Sequence, residues 1–152
     1  MRQADCPLCL TPGGTLLWQN EQVRVIDAND LVYPGFTRVV WQEHVAEMTD
    51  LSLEQQRALM EIVLRVERVQ RTSLRPDKIN LAAFGNQVPH LHWHIIARWA
   101  DDAHFPQPVW ATLPPATPQA GAAHEARRAQ TQRSMPDYHR ALRAELERPL
   151  QR

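Results

Sequence analysis

An α+β fold is predicted by three features of the sequence. Residues 88–98, Val-Pro-His-Leu-His-Trp-His-Ile-Ile-Ala-Arg, alternate strictly, with His90, His92 and His94 at one set of steps and Leu91, Trp93 and Ile95 at the other. Period-two alternation marks a half-buried β-strand, because successive side chains leave opposite faces. Runs rich in β-branched residues at 22–27, 36–41 and 78–84 read as further strands. Residues 52–73 instead place Leu59, Ile62, Val63, Val66 and Val69 at spacings of three and four, the stripe of an amphipathic helix.

The 152 residues suit one domain with a sizeable core, and a hydrophobic fraction of 43% excludes a disordered chain. No apolar run approaches the length of a membrane span, so no membrane partner is expected. The first residues, Met-Arg-Gln-Ala-Asp-Cys, lack the apolar core of a secretory signal, which predicts a cytoplasmic protein. The formal net charge is zero, against the basic balance of a general nucleic-acid binder. Acidic groups outnumber basic ones over residues 1–110, and the reverse holds over 111–152.

Taken in order, the elements justify themselves locally. Both cysteines fall in Cys6-Pro7-Leu8-Cys9. A redox Cys-x-x-Cys needs a preceding strand for which there is no room, and a disulfide does not suit a cytosolic chain. A zinc half-site fits the spacing but needs two more ligands; two small buried thiols are the plain structural reading. Pro12-Gly13-Gly14 is a turn, and the strand at 22–27 closes on Asp27, which also suits the start of a turn through Ala28-Asn29-Asp30. Pro34-Gly35 is the next turn and leads into the strand 36–41. Ser52 and Gln55 form a capping box at the head of the helix, whose Glu54, Arg57, Glu61, Arg65 and Arg68 are read as a solvated surface; Pro76 closes the helical stretch. After the strand 78–84, Gly85-Asn86-Gln87-Val88 turns the chain into the histidine segment. That turn is either an ordinary hairpin or a loop whose backbone approaches a phosphate. Prolines after Phe105 exclude a central strand, and Trp110 either packs or covers a base. His104 has no assigned role. Residues 111–136, with Pro114, Pro115 and Pro118, read as a linker, and 137–147 as a last helix in a C-terminal tail, 137–152, edged by Tyr138, Ala141, Leu142 and Leu146.

In an extended strand, adjacent imidazoles of the row stand about 6.6 Å apart and the outer pair about 13 Å. Zinc–nitrogen bonds are only about 2.1 Å long, so one ion cannot hold all three, and the rings are expected to have distinct roles. Neutral imidazole serves as nucleophile, proton shuttle or metal ligand.

His90-Leu91-His92-Trp93-His94-Ile95-Ile96 resembles the signature of the histidine-triad (HIT) family of nucleotide hydrolases and transferases, His-φ-His-φ-His-φ-φ with φ apolar. The resemblance spans about residues 6–110. It implies an antiparallel sheet of about five strands packed on one long helix, a nucleotide-binding domain over 1–110, and a homodimer formed by extending the sheet. It also implies a purine nucleotide substrate, such as a dinucleoside polyphosphate or a nucleoside phosphoramidate, attacked at the α-phosphate by His92 to give a covalent nucleotidyl-histidine. His94 and His90 complete the catalytic row. Asp27, with Asn29 as alternative, matches a family residue that binds ribose hydroxyls, and Asn80 one that lines the phosphate site. Gly85, Asn86 and Gln87 match the phosphate loop, where Asn86 and Gln87 replace a usual Gln-(Ser/Thr) pair but keep amide donors. Metal-binding members join an N-terminal Cys-x-x-Cys to two histidines, which here are Cys6, Cys9, His44 and His90. Four protein ligands make a structural zinc, and no organic cofactor is expected. One departure stands out: many members carry a histidine directly after the Pro-Gly turn, where this chain has Phe36. Phe36 and Gln87 leave a nucleotide-binding module with little turnover as the alternative to an enzyme. A catalytic zinc held by neighbouring triad histidines is a third reading.

Overall fold

The computed structural model describes residues 3–113, 115 and 118–149. Residues 1–2 of the expected domain, Pro114 and residues 116–117 of the expected linker, and 150–152 of the expected tail lie outside the described residues.

The elements run α1 (Pro7–Leu10), β1 (Thr15–Gln19), β2 (Val23–Asp27), β3 (Thr37–Trp41), a short 3-10 turn (Met48–Asp50), α2 (Leu53–Ser73), β4 (Lys78–Ala82), β5 (His92–Arg98) and α3 (Pro118–Leu146). The strands form one antiparallel sheet in the order β1-β2-β3-β5-β4. This is the α+β architecture expected. β1 was not anticipated: Thr-Leu-Leu-Trp-Gln does not alternate cleanly, and its register on β2 slips between Leu16 and Trp18.

Alternation decides what each face of the sheet carries. Val23, Val25, Val39, Ile79, Ile95 and Ala97 point to the helical side, where they meet Leu59, Ile62, Val63 and Val66 of α2. The opposite face carries Arg38 beside His94 and Val40 beside His92. α2 starts as the sequence predicts, with Ser52 Oγ accepting from Gln55 N and Gln55 Oε1 accepting from Ser52 N.

Three expectations need correction. The segment 111–136 is not a linker along most of its length, because α3 begins at Pro118 and runs through Pro136. Pro136 looks like a helix start because a proline lacks the N–H that only the first turn can spare. Here Thr131 and Met135 before it and Tyr138, Leu142 and Leu146 after it are all buried, so packing holds the helix across the break. The tail is therefore part of the core: Tyr138 Oη bonds Thr37 Oγ1 at 2.6 Å, and Arg143 Nε donates to Leu17 O. Second, Arg65 is not a solvated charge. It is 3% exposed, pairs with Glu61, and donates to the carbonyls of Arg148 and Pro149, the unsatisfied end of α3. Third, the histidine strand begins at His92, so His90 lies before it in a bend.

Candidate active site and metal centre

The bend at His90 separates the three histidines into two environments. Val88 O accepts from His90 N, and Leu91 N donates to Val45 O, which rotates residue 90 out of the strand register. The His90 ring is fully buried and its Nε2–H donates to Trp41 O at 2.7 Å. That fixes the tautomer and leaves the Nδ1 lone pair 3.5 Å from both Cys6 Sγ and Cys9 Sγ. His44 Nδ1 lies 3.4 Å from Cys9 Sγ, and the four ligand atoms all fall within 4.8 Å of one another. Tetrahedral zinc bonds imply ligand–ligand edges of about 3.4–3.8 Å; the three short distances match, and the donor set suits a Cys₂His₂ zinc. Cys6, Cys9, His44 and His90, grouped by the sequence reading, do gather into a cluster that could hold a metal ion.

The Cys6–Cys9 turn is also fastened to the sheet. Arg24, buried on β2, donates to Leu8 O at 2.5 Å and to Pro12 O at 3.1 Å. These bonds hold α1 and the turn after it on the strand face. Gly13 adopts φ +87°, and a Cβ there would come within 2.6 Å of the Leu8 side chain.

His92 and His94 project into a cleft of about 570 Å³ on the face opposite the long helices. Its walls come from Pro7, Leu8 and Gly13 on one side and from Phe84 and Trp110 on another. The loop Gly85-Asn86-Gln87-Val88 and Arg38 complete it. His92 Nδ1 lies 2.5 Å from His90 O. Since a carbonyl only accepts, Nδ1 carries the proton and Nε2 keeps a free lone pair. Burial holds His92 below the ordinary imidazole range, opposing the backbone hydrogen bond, and the charge of Arg38 adds to that effect. His94, edge-on to His92 at 4.7 Å between ring centres, is pushed down to about 3 by burial, then by the charges of His92 and Arg38. Its Nδ1 is buried and bonded to nothing among the described residues. Phe36, 3% exposed, packs edge-on to His94 at 5.4 Å.

The other expected site residues divide. Gly85, Asn86 and Gln87 line the cleft, and Gly85 adopts φ +69°. Asn80 sits on the cleft face of β4, but its Oδ1 already accepts from Arg98 Nη1 at 2.7 Å. Asp27 is not in the cleft. It shares the face of Val23 and Val25, so its Oδ2 meets His139 of α3 at 2.9 Å while Oδ1 accepts from Asn29 N. Asn29 is turned to Thr15. A residue at the end of a strand reaches one face or the other by parity alone, and Asp27 has the helical parity. The structure thus does not bring Asp27 together with His92 and His94 in the cleft.

Sequence reasoning missed Arg38, Phe84 and the wall formed by Pro7 and Leu8. Arg38 was not legible, because its place opposite His94 depends on the cross-strand register of β3 and β5. The others depend on loop paths.

The HIT domain family model matches residues 13–101. This chain belongs to the HIT family. The AP-4-A phosphorylase of Mycobacterium tuberculosis is 31% identical over 101 residues, covering 57% of this chain and 52% of that protein. The chain thus spans about half the length of the curated relative. Among solved structures, a histidine triad protein from Bradyrhizobium japonicum is 32% identical with a TM-score of 0.63, covering 83% of this chain and 93% of its own. One from Marinobacter aquaeolei is 28% identical with a TM-score of 0.65, covering 90% and 98%.

Proposed function

We propose that this HIT protein is a hydrolase or transferase that cleaves a dinucleoside polyphosphate or nucleoside phosphoramidate at the α-phosphate, through a nucleotidyl-histidine at His92. One observation carries the reading: His92 Nδ1–H donates to His90 O, so Nε2, the nitrogen left to the cleft, is a neutral nucleophile. In the first step His92 Nε2 bonds to the α-phosphorus and the bond to the leaving group breaks. Amide donors of Asn86 and Gln87 meet the charge that grows on the phosphoryl oxygens. In the second step an acceptor attacks phosphorus and the ring is released. Water as acceptor gives a nucleoside monophosphate; inorganic phosphate, suggested by the name of the mycobacterial relative, gives a diphosphate. Running the assay with and without phosphate separates the two.

Cys6, Cys9, His44 and His90 would hold a zinc, which would stabilise the fold and fix the His90 backbone that orients His92. A purine base fits against the apolar wall of Pro7 and Leu8. Dimerisation is supported by β4, an edge strand of the described sheet able to pair with a second copy, and sedimentation reads it directly. Free thiols at both cysteines suit a reducing, cytoplasmic setting; no described helix is long and apolar enough to cross a membrane.

His92→Ala is expected to abolish turnover of adenosine 5′-phosphoramidate and of diadenosine tetraphosphate, with nucleotide binding retained. Retained turnover in that variant removes the mechanism. The alternative, a binding module, is favoured by Phe36 lying where a polar partner of His94 would stand. Rapid quench with a slow substrate, followed by detection of an acid-labile adduct at His92, distinguishes the enzyme from the module.

A further inference from the structure

We propose that Arg38 is the anion anchor of the cleft, a catalytic residue whose guanidinium binds the phosphoryl group being transferred. This rests on the nucleotidyl-transfer reading of the same site and adds a residue to it.

Four observations place it there. Arg38 leaves β3 on the face of the sheet that carries the reactive histidines, and its Cα is paired with that of His94. It lines the cleft together with His92 and His94. No other lining residue is an arginine or lysine, and none is an aspartate or glutamate. The guanidinium is therefore the one permanent charge among the described residues lining those walls.

The third observation concerns hydrogen bonds. Nε of Arg38 is buried and has no partner among the described residues. No ion pair forms at Arg38 among the described residues either: Asp30 is near enough to be felt electrostatically, but its Oδ1 accepts from Val32 N and Tyr33 N. A buried N–H of a cation without an acceptor is costly, and most such groups find one. An anionic ligand in the cleft would supply it.

The fourth is Phe36. Its ring lies 5.4 Å from the Arg38 guanidinium carbon and 5.4 Å from the His94 ring. Phe36 thus sets the cation beside the histidine row by a cation–π contact while offering no hydrogen-bonding group itself. A planar guanidinium with several donors matches a phosphoryl group in geometry as well as charge. During transfer the phosphoryl oxygens stay within reach of the same donors while the bond from the leaving group to phosphorus is exchanged for the bond from His92.

The test compares AMP with adenosine, which differ by the phosphate alone. Titration calorimetry on the metal-loaded protein is expected to give a wild type that prefers AMP. Arg38→Gln should weaken AMP at least tenfold and leave adenosine within twofold. Arg38→Lys, which keeps the charge but loses the planar fork, should fall between them. The same variants should lower kcat for adenosine 5′-phosphoramidate, with Arg38→Lys recovering part of it. In the wild type, the Arg38 Nε–H resonance should move on adding AMP and stay put with adenosine, a readout that needs no variant to fold. An unchanged AMP affinity in Arg38→Gln, an equal loss of AMP and adenosine, or a resonance that ignores AMP overturns the assignment. A wild type that binds neither ligand instead overturns the nucleotide reading beneath it.

Discussion

His94 has the most perturbed environment of the triad. It sits between His92, Phe36 and Trp110, with ring centres at 4.7, 5.4 and 5.2 Å. Its pKa is lowered from 6.5 to about 3, so the native ring stays neutral through mild acid while the unfolded ring does not. Between those two values the unfolded chain binds more protons, and stability is lost as pH falls from about 6.5 toward 3. Urea midpoints at pH 7, 6 and 5 should therefore decline, and His94→Asn should decline less steeply. His90 and His92 are shifted in the same direction, so some slope persists in the variant. Equal slopes for the two proteins would show that His94 does not hold off its proton. The neutral state also bears on mechanism: a ring that resists protonation is a poor store of positive charge for phosphate. Only Arg38 among the residues lining the cleft supplies that permanently.

At the scale of elements, α3 decides more than its sequence suggests. Leu142 and Tyr138 are fully buried, and Met135 and Leu146 nearly so, along one edge packed on α2 and the sheet. Leu142→Ala should cost about 3 kcal/mol, within the range of about 2–5 for truncating a buried leucine and leaving a cavity. A loss below 1 kcal/mol in urea unfolding would mean that the helix is not docked in solution. The histidine row illustrates the opposite case. Alternation over 88–98 was legible, and it located His92 and His94 on one face. It did not locate His90, because a bend at the strand entrance breaks parity there. That bend is what sends one ring to the thiols and two rings to the cleft.

At the scale of the molecule, the Cys₂His₂ cluster and the cleft share a backbone. Pro7 and Leu8 lie between the two cysteines and form part of the cleft wall, and His90 contributes its ring to the cluster and its carbonyl to the His92 ring. Chelation, or Cys9→Ser, should lower the melting temperature and also reduce kcat/KM, though less completely than His92→Ala. Zinc content by atomic emission and activity should fall together. A zinc-free variant with full stability and full activity would separate the two sites. Chelation should also weaken nucleoside binding, since Leu8, tied to the sheet by Arg24, lies in the turn between Cys6 and Cys9.

The amino-acid sequence determined the α+β class, the capped helix α2 and which residues make up the Cys6, Cys9, His44 and His90 cluster. Each of these is written in short-range periodicity or in residue type, and periodicity survives translation into structure because backbone geometry imposes it. Tertiary structure alone decided that Asp27 serves α3, that Arg65 caps a helix 80 residues away in sequence, and that Arg38 faces the cleft unpaired. Those outcomes depend on which side chains meet across elements far apart in the chain. Such meetings are selected by packing and by the need to satisfy buried polar groups, and local sequence carries neither.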